Sequence, residues 1–279
     1  MSEKINLKLS EERILICVIT YEEEPRIQNV LKRLPNVIWD NKIYHILLCD
    51  DNSSDKTISK AEQTFKSLCK NYNIVKLKLH QGYGGVQKIC YRYAIDNNFD
   101  FTVLVHGDGQ YAPELALKFV SSWSEKGSEI VLGSRMIKYR SAISGGMPMY
   151  KLVGNIILTK TQNLINKTKF SEFHTGYRGY ATSFLKKVPF ELNSNDFHFD
   201  TEILLQAFHS GAKVDEFLIP TFYGDEVSRV NGLRYALDVL KSSIKYRLQR
   251  LGLFVSLKYP HSANQVYKDK TLDPHSSHS

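Results

Sequence analysis

Hydrophobic and polar positions alternate along the first half of the chain in a way that predicts strands separated by helices. Short apolar runs predict strands at residues 14–20, 45–50, 73–80, 101–106 and 129–133. Between them, apolar residues return at helical spacing, as at Ile58, Ala61, Phe65 and Leu68. Regular alternation of this kind predicts an α/β fold with a mostly parallel sheet flanked by helices. Ligands of such sheets bind at the carboxyl ends of the strands.

The pattern changes after Arg135. A loop containing Gly, Pro and Met precedes a helix predicted near residues 150–165, and the aromatic-rich segment EFHTGYRGY follows it. A further helix is predicted with Asp200 as its N-cap and Gly211 as its C-terminal stop, and VDEFLIPTFY then predicts a strand. We interpret this half as the side that faces a second substrate.

A third pattern runs from Gly232 to Leu251 and predicts an amphipathic helix. Its apolar stripe consists of Leu233, Leu237, Leu240, Ile244, Leu248 and Leu251, and its basic residues are Arg234, Lys241, Lys245, Arg247 and Arg250. Such a helix either packs on its own domain with a solvated basic face or lies on an anionic membrane surface. We expect a main domain over residues 1–225, a helical extension over 226–260 and a disordered tail over 261–279.

Composition narrows the choice of partners. Lys and Arg number 37 against 29 Asp and Glu, and this net charge of +8 indicates an anionic partner. The basic residues form no recognised base-reading motif, so we expect no nucleic acid. The four cysteines form no CxxC pair, which favours free thiols in a reducing cytosol. No apolar run approaches the roughly 20 residues of a spanning helix, so we expect a cytoplasmic protein whose membrane contact, if any, is peripheral on the inner face.

Acidic residues follow two of the predicted strands. Asp50 and Asp51 follow the second strand in CDDNSSDKT, where a carboxylate can accept hydrogen bonds from a base or a ribose. Turn and capping chemistry explains the same residues without a ligand. Asp108 follows the fourth strand in HGDGQY, with Gln110 two residues later. This combination suits a hard divalent cation that also keeps water and phosphate oxygens, although a simple Asp-Gly turn would look the same.

Four motifs together resemble the signature of glycosyltransferase family 2, and within it the branch of the dolichol-phosphate mannose synthases. The matching segments, in the family's order, are residues 21–24, 50–55, 106–110 and 133–135. The resemblance spans about residues 13–225, and four ordered motifs at strand ends are more specific than any one of them. It implies a GT-A fold and an inverting transfer of a sugar from a nucleotide-diphosphate sugar to a polyprenyl phosphate or a glycan.

The same resemblance implies roles for particular residues on the donor side. Those residues are Tyr21, Glu23, Asp50 and Asp51 for base and ribose, Arg135 for phosphate, and His106, Asp108 and Gln110 for a Mn²⁺ or Mg²⁺ ion. Lys88, in the helix that opens GYGGVQK, is a further candidate to neutralise the donor, and the start of that helix offers N–H groups to an anion. Glycine packing beside a solvated lysine is the alternative. His106 stands where the family usually has an acid, and imidazole is a poor ligand for Mg²⁺. Weaker metal binding, metal independence and an inactive relative therefore stay open.

The resemblance also implies a set of acceptor-side candidates. They are Glu172, His174, Arg178, Asp200 and Glu202. A sugar hydroxyl needs a base, which Asp200 or Glu202 could supply, although acidic residues also suit the start of a helix without any catalytic role. A lipid phosphate needs no base, because it is already largely ionised at neutral pH.

Three other classes of protein fit less of the sequence. A Rossmann dehydrogenase needs GxGxxG after its first strand, where this chain has TYEEEP. A sugar nucleotidyltransferase should carry a glycine-rich basic loop at the same place, and this chain lacks one. A non-catalytic relative that binds sugar nucleotides or glycans is suggested only by His106.

Overall fold

The strands form one mixed sheet in a computed structural model that describes residues 12–68, 71–222 and 230–260. The strands are β1 (Ile14–Thr20), β2 (Tyr44–Asp50), β3 (Tyr72–Lys76), β4 (Phe101–His106), β5 (Ile130–Ser134), β6 (Arg178–Ala181) and β7 (Val214–Leu218). Their order across the sheet is β3-β2-β1-β4-β6-β5-β7. Only β6 runs antiparallel to its neighbours, β4 and β5, among these strands. The predicted α/β sheet, mostly parallel and mixed, is confirmed.

Helices connect the strands and cover both faces of the sheet. They are α1 (Ile27–Lys32), α2 (Asn36–Asp40), α3 (Thr57–Leu68), α4 (Tyr83–Asp96), α5 (Ala116–Lys126), α6 (Tyr139–Ser144), α7 (Met149–Asn166), α8 (Thr182–Lys187), α9 (Phe199–Ser210) and α10 (Gly232–Arg250). Short 3₁₀ turns occupy Pro113–Leu115 and Phe190–Leu192. Among the described helices, none is long and apolar enough to cross a membrane.

Alternate residues of β1 supply two apolar cores, one on each face of the sheet. Ile14, Ile16 and Val18 pack into one core, whereas Leu15 and Cys17 pack into the other. This division follows from the two-residue period of a strand, and burial on both faces explains why residues 14–19 of β1 are all apolar. The cysteines within the described residues, at positions 17, 49 and 90, are free and buried.

Some predicted boundaries differ from the observed ones. The third strand ends at Lys76 rather than at residue 80, and β6 was not predicted at all. Asp200 as an N-cap is wrong, because α9 begins at Phe199 with His198 at its N-cap position. Gly211 is confirmed as the helix stop, with a φ of 71° that favours glycine. The predicted tail over 261–279 lies outside the described residues.

The amphipathic helix α10 packs on the domain with the opposite face from the one that its leucines suggested. Its buried residues include Val239, Ser242, Ser243 and Tyr246. Four of the six residues of the predicted stripe, Leu233, Leu237, Ile244 and Leu251, are exposed instead, whereas Leu240 and Leu248 are half-buried. The helix therefore packs on its own domain with a solvated basic face, as one of the two alternatives expected, but the buried face is not the leucine stripe.

Candidate active site

Asp50 ties together the loops that follow β1 and β2. Its fully buried carboxylate accepts hydrogen bonds from Thr20 Oγ1 at 3.0 Å, Ser53 Oγ at 2.6 Å and the Ser53 amide at 2.8 Å. In the neighbouring turn the Glu23 carboxylate pairs with Arg26 Nη1 at 2.9 Å. In this structure the two carboxylates hold the turns that follow β1 and β2. Their predicted contacts with a nucleotide stay predictions.

Asp51 anchors the loop between β3 and α4. Its oxygens accept hydrogen bonds from the backbone amides of Gln81 at 2.6 Å and Gly82 at 2.9 Å. His80 Nδ1 lies 3.0 Å from Asp51 Oδ2, and the His80 ring packs on the ring of Tyr21 with centroids 4.5 Å apart. Tyr21 and Asp51, predicted to face a base and ribose, are thus joined through His80 into one polar and aromatic edge.

Backbone amides at the start of α4 donate to a backbone carbonyl of the same chain. The Gly84 and Gly85 amides donate to the Asn195 carbonyl at 2.7 and 3.3 Å. A side chain at Gly84 would collide with the Ser194 carbonyl, so close backbone approach explains that glycine. Lys88 Nζ donates to Asn195 Oδ1 at 2.7 Å, and burial lowers the pKa of Lys88. Two amides of this helix start thus already have a carbonyl as partner, and the Lys88 amine lies on segment 193–195; their predicted contact with an anion stays a prediction.

A connected group of side chains lies between α4, β4 and α9. Tyr83 Oη donates to Asp200 Oδ2 at 2.9 Å, and Gln87 Nε2 donates to Asp200 Oδ1 at 3.2 Å. His106 Nε2 lies 3.1 Å from the Gly176 carbonyl. Because a carbonyl only accepts, this Nε2 carries the proton and leaves Nδ1 as the nitrogen that could bind a cation.

Tyr83 and Gln87 are site residues that sequence reasoning missed. Both lie on α4, four positions apart, and therefore on one helical face. The signal is present in GYGGVQK, in which Tyr83 and Gln87 form a polar pair at positions i and i+4 of one helical face.

The two carboxylates of α9 point in different directions. Asp200 faces Tyr83 and also lies 3.9 Å from Nε of the fully buried Arg178. Glu202 accepts from the Ser194 amide at 2.6 Å and from Lys258 Nζ at 2.5 Å. Two helical positions turn a side chain through about 200°, which explains the divergence. Glu202 lines a separate cavity of about 250 Å³ between α9, α10 and the segment that follows α10.

Asp108 and Gln110 form the turn that follows β4. The Asp108 carboxylate is half-exposed and accepts a hydrogen bond from the Gln110 amide at 3.0 Å. Within the described residues, no three His, Cys, Asp or Glu side chains are grouped to hold a metal ion. One carboxylate beside one amide oxygen fits a hard divalent cation whose other ligands come from a diphosphate and water. The donor set thus fits a substrate-borne cation and not a metal bound by protein alone.

Arg135, which follows β5, is buried against Glu172. The Glu172 carboxylate accepts from the Arg135 amide at 2.7 Å, from Nε at 3.0 Å and from Nη2, and Asn155 Nδ2 adds a contact at 2.9 Å. Burial alone would raise the pKa of Glu172, but the Arg135 charge and these hydrogen bonds outweigh it and hold that pKa below its ordinary value. Arg135 is therefore held rigidly at a strand end.

His174 lies next to this ion pair. Its Nδ1 is 2.8 Å from Tyr235 Oη on α10, and its Nε2 is buried without a hydrogen-bond partner in the part of the chain that the structure describes. Burial lowers the pKa of His174 from 6.5 to about 4, with Arg135 and Arg178 acting in the same direction and Glu172 opposing them. The ring is thus neutral at physiological pH.

The mixed sheet, with carboxylates after β2 and β4 and an arginine after β5, defines a GT-A glycosyltransferase. Residues 15–188 match the family model described as "Glycosyl transferase family 2", and the chain belongs to that family. The resemblance deduced from four short motifs is confirmed, as is the prediction that the protein is a glycosyltransferase.

Two characterised relatives and one solved structure resemble the chain. A UDP-N-acetylglucosamine–dolichyl-phosphate N-acetylglucosaminyltransferase of Methanococcus voltae is 28% identical over 88% of this chain and 98% of the relative. A dolichol-phosphate mannosyltransferase of Pyrococcus furiosus is 27% identical over 71% of this chain and 54% of the relative. Glucosyl-3-phosphoglycerate synthase of Mycobacterium tuberculosis, solved with Mn²⁺, UDP and phosphoglyceric acid, aligns with a TM-score of 0.61. It is 14% identical over 88% of this chain and 81% of its own, which supports the fold alone.

Proposed function

We propose that the protein is an inverting glycosyltransferase that moves a sugar from a nucleotide-diphosphate sugar to a polyprenyl phosphate of the dolichyl type, working at the inner face of a membrane. The two characterised relatives carry dolichyl or dolichol phosphate in their names. The M. voltae relative supports this most strongly, since the alignment covers almost all of its length.

The single observation that favours a phosphate over a hydroxyl acceptor is the engagement of both carboxylates on α9. Asp200 already accepts from Tyr83 and Gln87 and lies near the Arg178 charge. Glu202 is paired with Lys258 on another side of the helix. A hydroxyl acceptor needs a basic carboxylate within reach, whereas an ionised phosphate oxygen attacks without one.

The remaining roles follow from the positions of the residues at the sheet edge. In this proposal Tyr21 and Asp51 border the base, with Glu23 and Asp50 fixing the turns beside them, and Lys88 adds positive charge from behind segment 193–195. A phosphate oxygen of the acceptor bonds to the anomeric carbon while the bond from that carbon to the diphosphate breaks.

Charge builds on the departing diphosphate as that bond breaks. Arg135, held by Glu172, faces this charge, and a Mn²⁺ or Mg²⁺ ion held by Asp108 and Gln110, with Nδ1 of His106 as a further candidate ligand, would supply the rest of the neutralisation.

The test is transfer from labelled nucleotide sugars by the purified protein in detergent with Mn²⁺. UDP-, GDP-, CDP- and dTDP-sugars are offered in turn with a polyprenyl phosphate, the matching polyprenol or an alkyl glycoside as acceptor. We expect a product only with the polyprenyl phosphate, and mild acid should release the sugar from it. Transfer to a hydroxyl acceptor alone would refute the acceptor proposal.

Asp200→Asn and Glu202→Gln form a matched pair for the same question, because each keeps the side-chain volume and removes the charge. With a hydroxyl acceptor, loss of the base should slow transfer roughly 100-fold or more while donor binding persists. With a phosphate acceptor we expect losses below about tenfold for both variants, provided that each keeps the native urea midpoint, since Asp200→Asn also removes the charge beside the buried Arg178. A large loss confined to a natively stable Asp200→Asn would identify Asp200 as a base and a hydroxyl as the acceptor.

A further inference from the structure

Helices α7 and α10 pack against each other with polar residues inside. Gln162 of α7 is fully buried, and its Nε2 donates to Ser243 Oγ of α10 at 3.2 Å. Asn166 Nδ2 donates to the same hydroxyl at 3.3 Å. Thr159 and Ser242 are also buried on the inner faces. Surface helices of globular proteins normally bury their apolar stripe, so buried faces that mix these polar residues with only a few apolar ones, Leu152, Val239 and Tyr246, are unusual.

The outer faces of the same two helices are apolar and exposed. The exposed fraction is 74% for Tyr150, 47% for Val153 and 58% for Ile157 on α7, and 62% for Leu237 and 49% for Ile244 on α10. On α7 these residues recur every three or four positions, and on α10 Leu237 and Ile244 lie seven positions, or two helical turns, apart, so each set forms a stripe on one face. Single exposed apolar residues need no explanation, but stripes on two adjoining helices indicate a contact surface.

The charges around these stripes select the partner. Residues 136–171 contain no Asp or Glu, and their basic residues are Lys138, Arg140, Lys151, Lys160, Lys167 and Lys169. Helix α10 carries five basic residues and a single acid, Asp238. A second copy of the chain would bring like charges together. An anionic lipid surface instead offers apolar tails to the stripes and negative headgroups to the basic residues.

We propose that the outer faces of α7 and α10 dock on an anionic bilayer. The inner faces of both helices reach the active site, since Asn155 Nδ2 of α7 contacts Glu172 at 2.9 Å and Tyr235 Oη of α10 contacts His174 at 2.8 Å. Docking would bring the lipid headgroups beside the end of the site where Arg135 lies. The role of docking in delivering the acceptor rests on the proposed function. The acceptor phosphate then arrives without leaving the membrane.

The experiment is co-sedimentation of the full chain with phosphatidylcholine vesicles, with and without phosphatidylglycerol, at low and high salt. We expect binding only with phosphatidylglycerol and weaker binding at high salt. Lys241→Gln/Lys245→Gln should weaken binding by roughly 30-fold, since each basic residue near an anionic surface contributes roughly fivefold. Salt-insensitive binding, or unchanged binding by this variant, would overturn the electrostatic part of the proposal and with it the choice of an anionic bilayer.

The apolar part is tested by a matched pair of variants. Val153→Glu/Leu237→Glu places charge on both stripes and should reduce vesicle binding at least about tenfold. Val37→Glu/Leu68→Glu on α2 and α3 is the control, since it also adds two charges at exposed apolar positions, 43% and 38% exposed. Equal effects of the two would overturn the proposal. So would absence of vesicle binding by the native chain together with loss of a dimer in the stripe variant, as seen by analytical ultracentrifugation.

Failure of this surface and failure of the proposed function are distinguishable. Transfer to detergent-solubilised polyprenyl phosphate does not need a bilayer, so the stripe variant should retain it while losing transfer on vesicles. Vesicle binding without any transfer would leave the surface standing and refute the acceptor. Transfer in detergent without vesicle binding would refute the docking surface and leave the acceptor proposal standing.

Discussion

Replacing Glu172 with Gln should destabilise the protein far more than the loss of an ordinary ion pair would. The Glu172 carboxylate is fully buried and accepts hydrogen bonds from the Arg135 amide, from the Arg135 guanidinium and from Asn155. A glutamine keeps the shape, but its NH₂ group must face one of these donors, and the Arg135 charge loses its partner.

The expected magnitude follows from the burial of the pair. Removing one partner of a buried ion pair costs about 3 to 5 kcal/mol, because the other charge is left uncompensated. For a domain of this size, that loss lowers the melting temperature by roughly 6 to 20 °C. Glu191→Gln is the control, since its ion pair with Arg92 is 34% and 44% exposed and should contribute less than about 1 kcal/mol.

The assay is equilibrium unfolding in urea, in which a lower midpoint at an unchanged slope reports a change in stability alone. Arg135→Met/Glu172→Met should recover part of the loss, because no unpaired charge remains, and should abolish transfer if Arg135 binds phosphate. A loss below about 1 kcal/mol for Glu172→Gln would refute the reasoning, since it would mean that water or another group already compensates Arg135.

Three further predictions concern single residues. Asp108→Asn should fold normally and lose the Mn²⁺-dependent part of nucleoside-diphosphate binding in calorimetry, with UDP, GDP, CDP and dTDP offered in turn; unchanged affinity for the diphosphate that binds would remove Asp108 from the cation site. His174 has its pKa lowered from 6.5 to about 4, so the native protein should lose about 3 kcal/mol of unfolding free energy as pH falls through that window. Urea titrations of His174→Gln should show a smaller loss of unfolding free energy between pH 6.5 and about 4. An equal loss would assign the pH dependence to other groups. Gly84→Ala should lower the melting temperature through collision with the Ser194 carbonyl; an unaltered value would show that this segment moves freely.

The elements that could best be predicted from sequence are the strands whose two faces are both buried. Strands β1 and β4 have the predicted bounds because their mainly apolar runs between turn residues are buried on both faces and permit little else. Strand β6 was missed because its four residues include Arg178, which is fully buried through hydrogen bonds to the carbonyls of Thr175, Phe173 and Asp200. Phe173 and Thr175 are near in sequence and Asp200 comes from α9, but none of them creates the alternation of apolar and polar residues that predicts a strand.

The candidate site was predicted in outline and not in its contacts. Strand-end positions of Asp51, Asp108 and Arg135 follow from sequence, because the ends of parallel strands meet at one edge. The hydrogen-bond partners of these side chains cannot be predicted from sequence in the same way, because Glu172, the partner of Arg135, lies 37 residues away. For α10 the leucine period was visible, but a period gives the stripe and not the direction in which it faces.

The hydrogen bonds of Asp51 have a consequence for the entropy of binding. One carboxylate holds the Gln81 and Gly82 amides, and Gly82 at a φ of 78° completes the loop in a conformation that few other residues adopt. This loop is therefore ordered before any ligand arrives. Ordering a loop on binding costs free energy for each residue that is immobilised, and here that cost is met during folding instead. A ligand at this edge keeps the full free energy of its contacts, and variants that free the loop should bind it more weakly with the same contacts present.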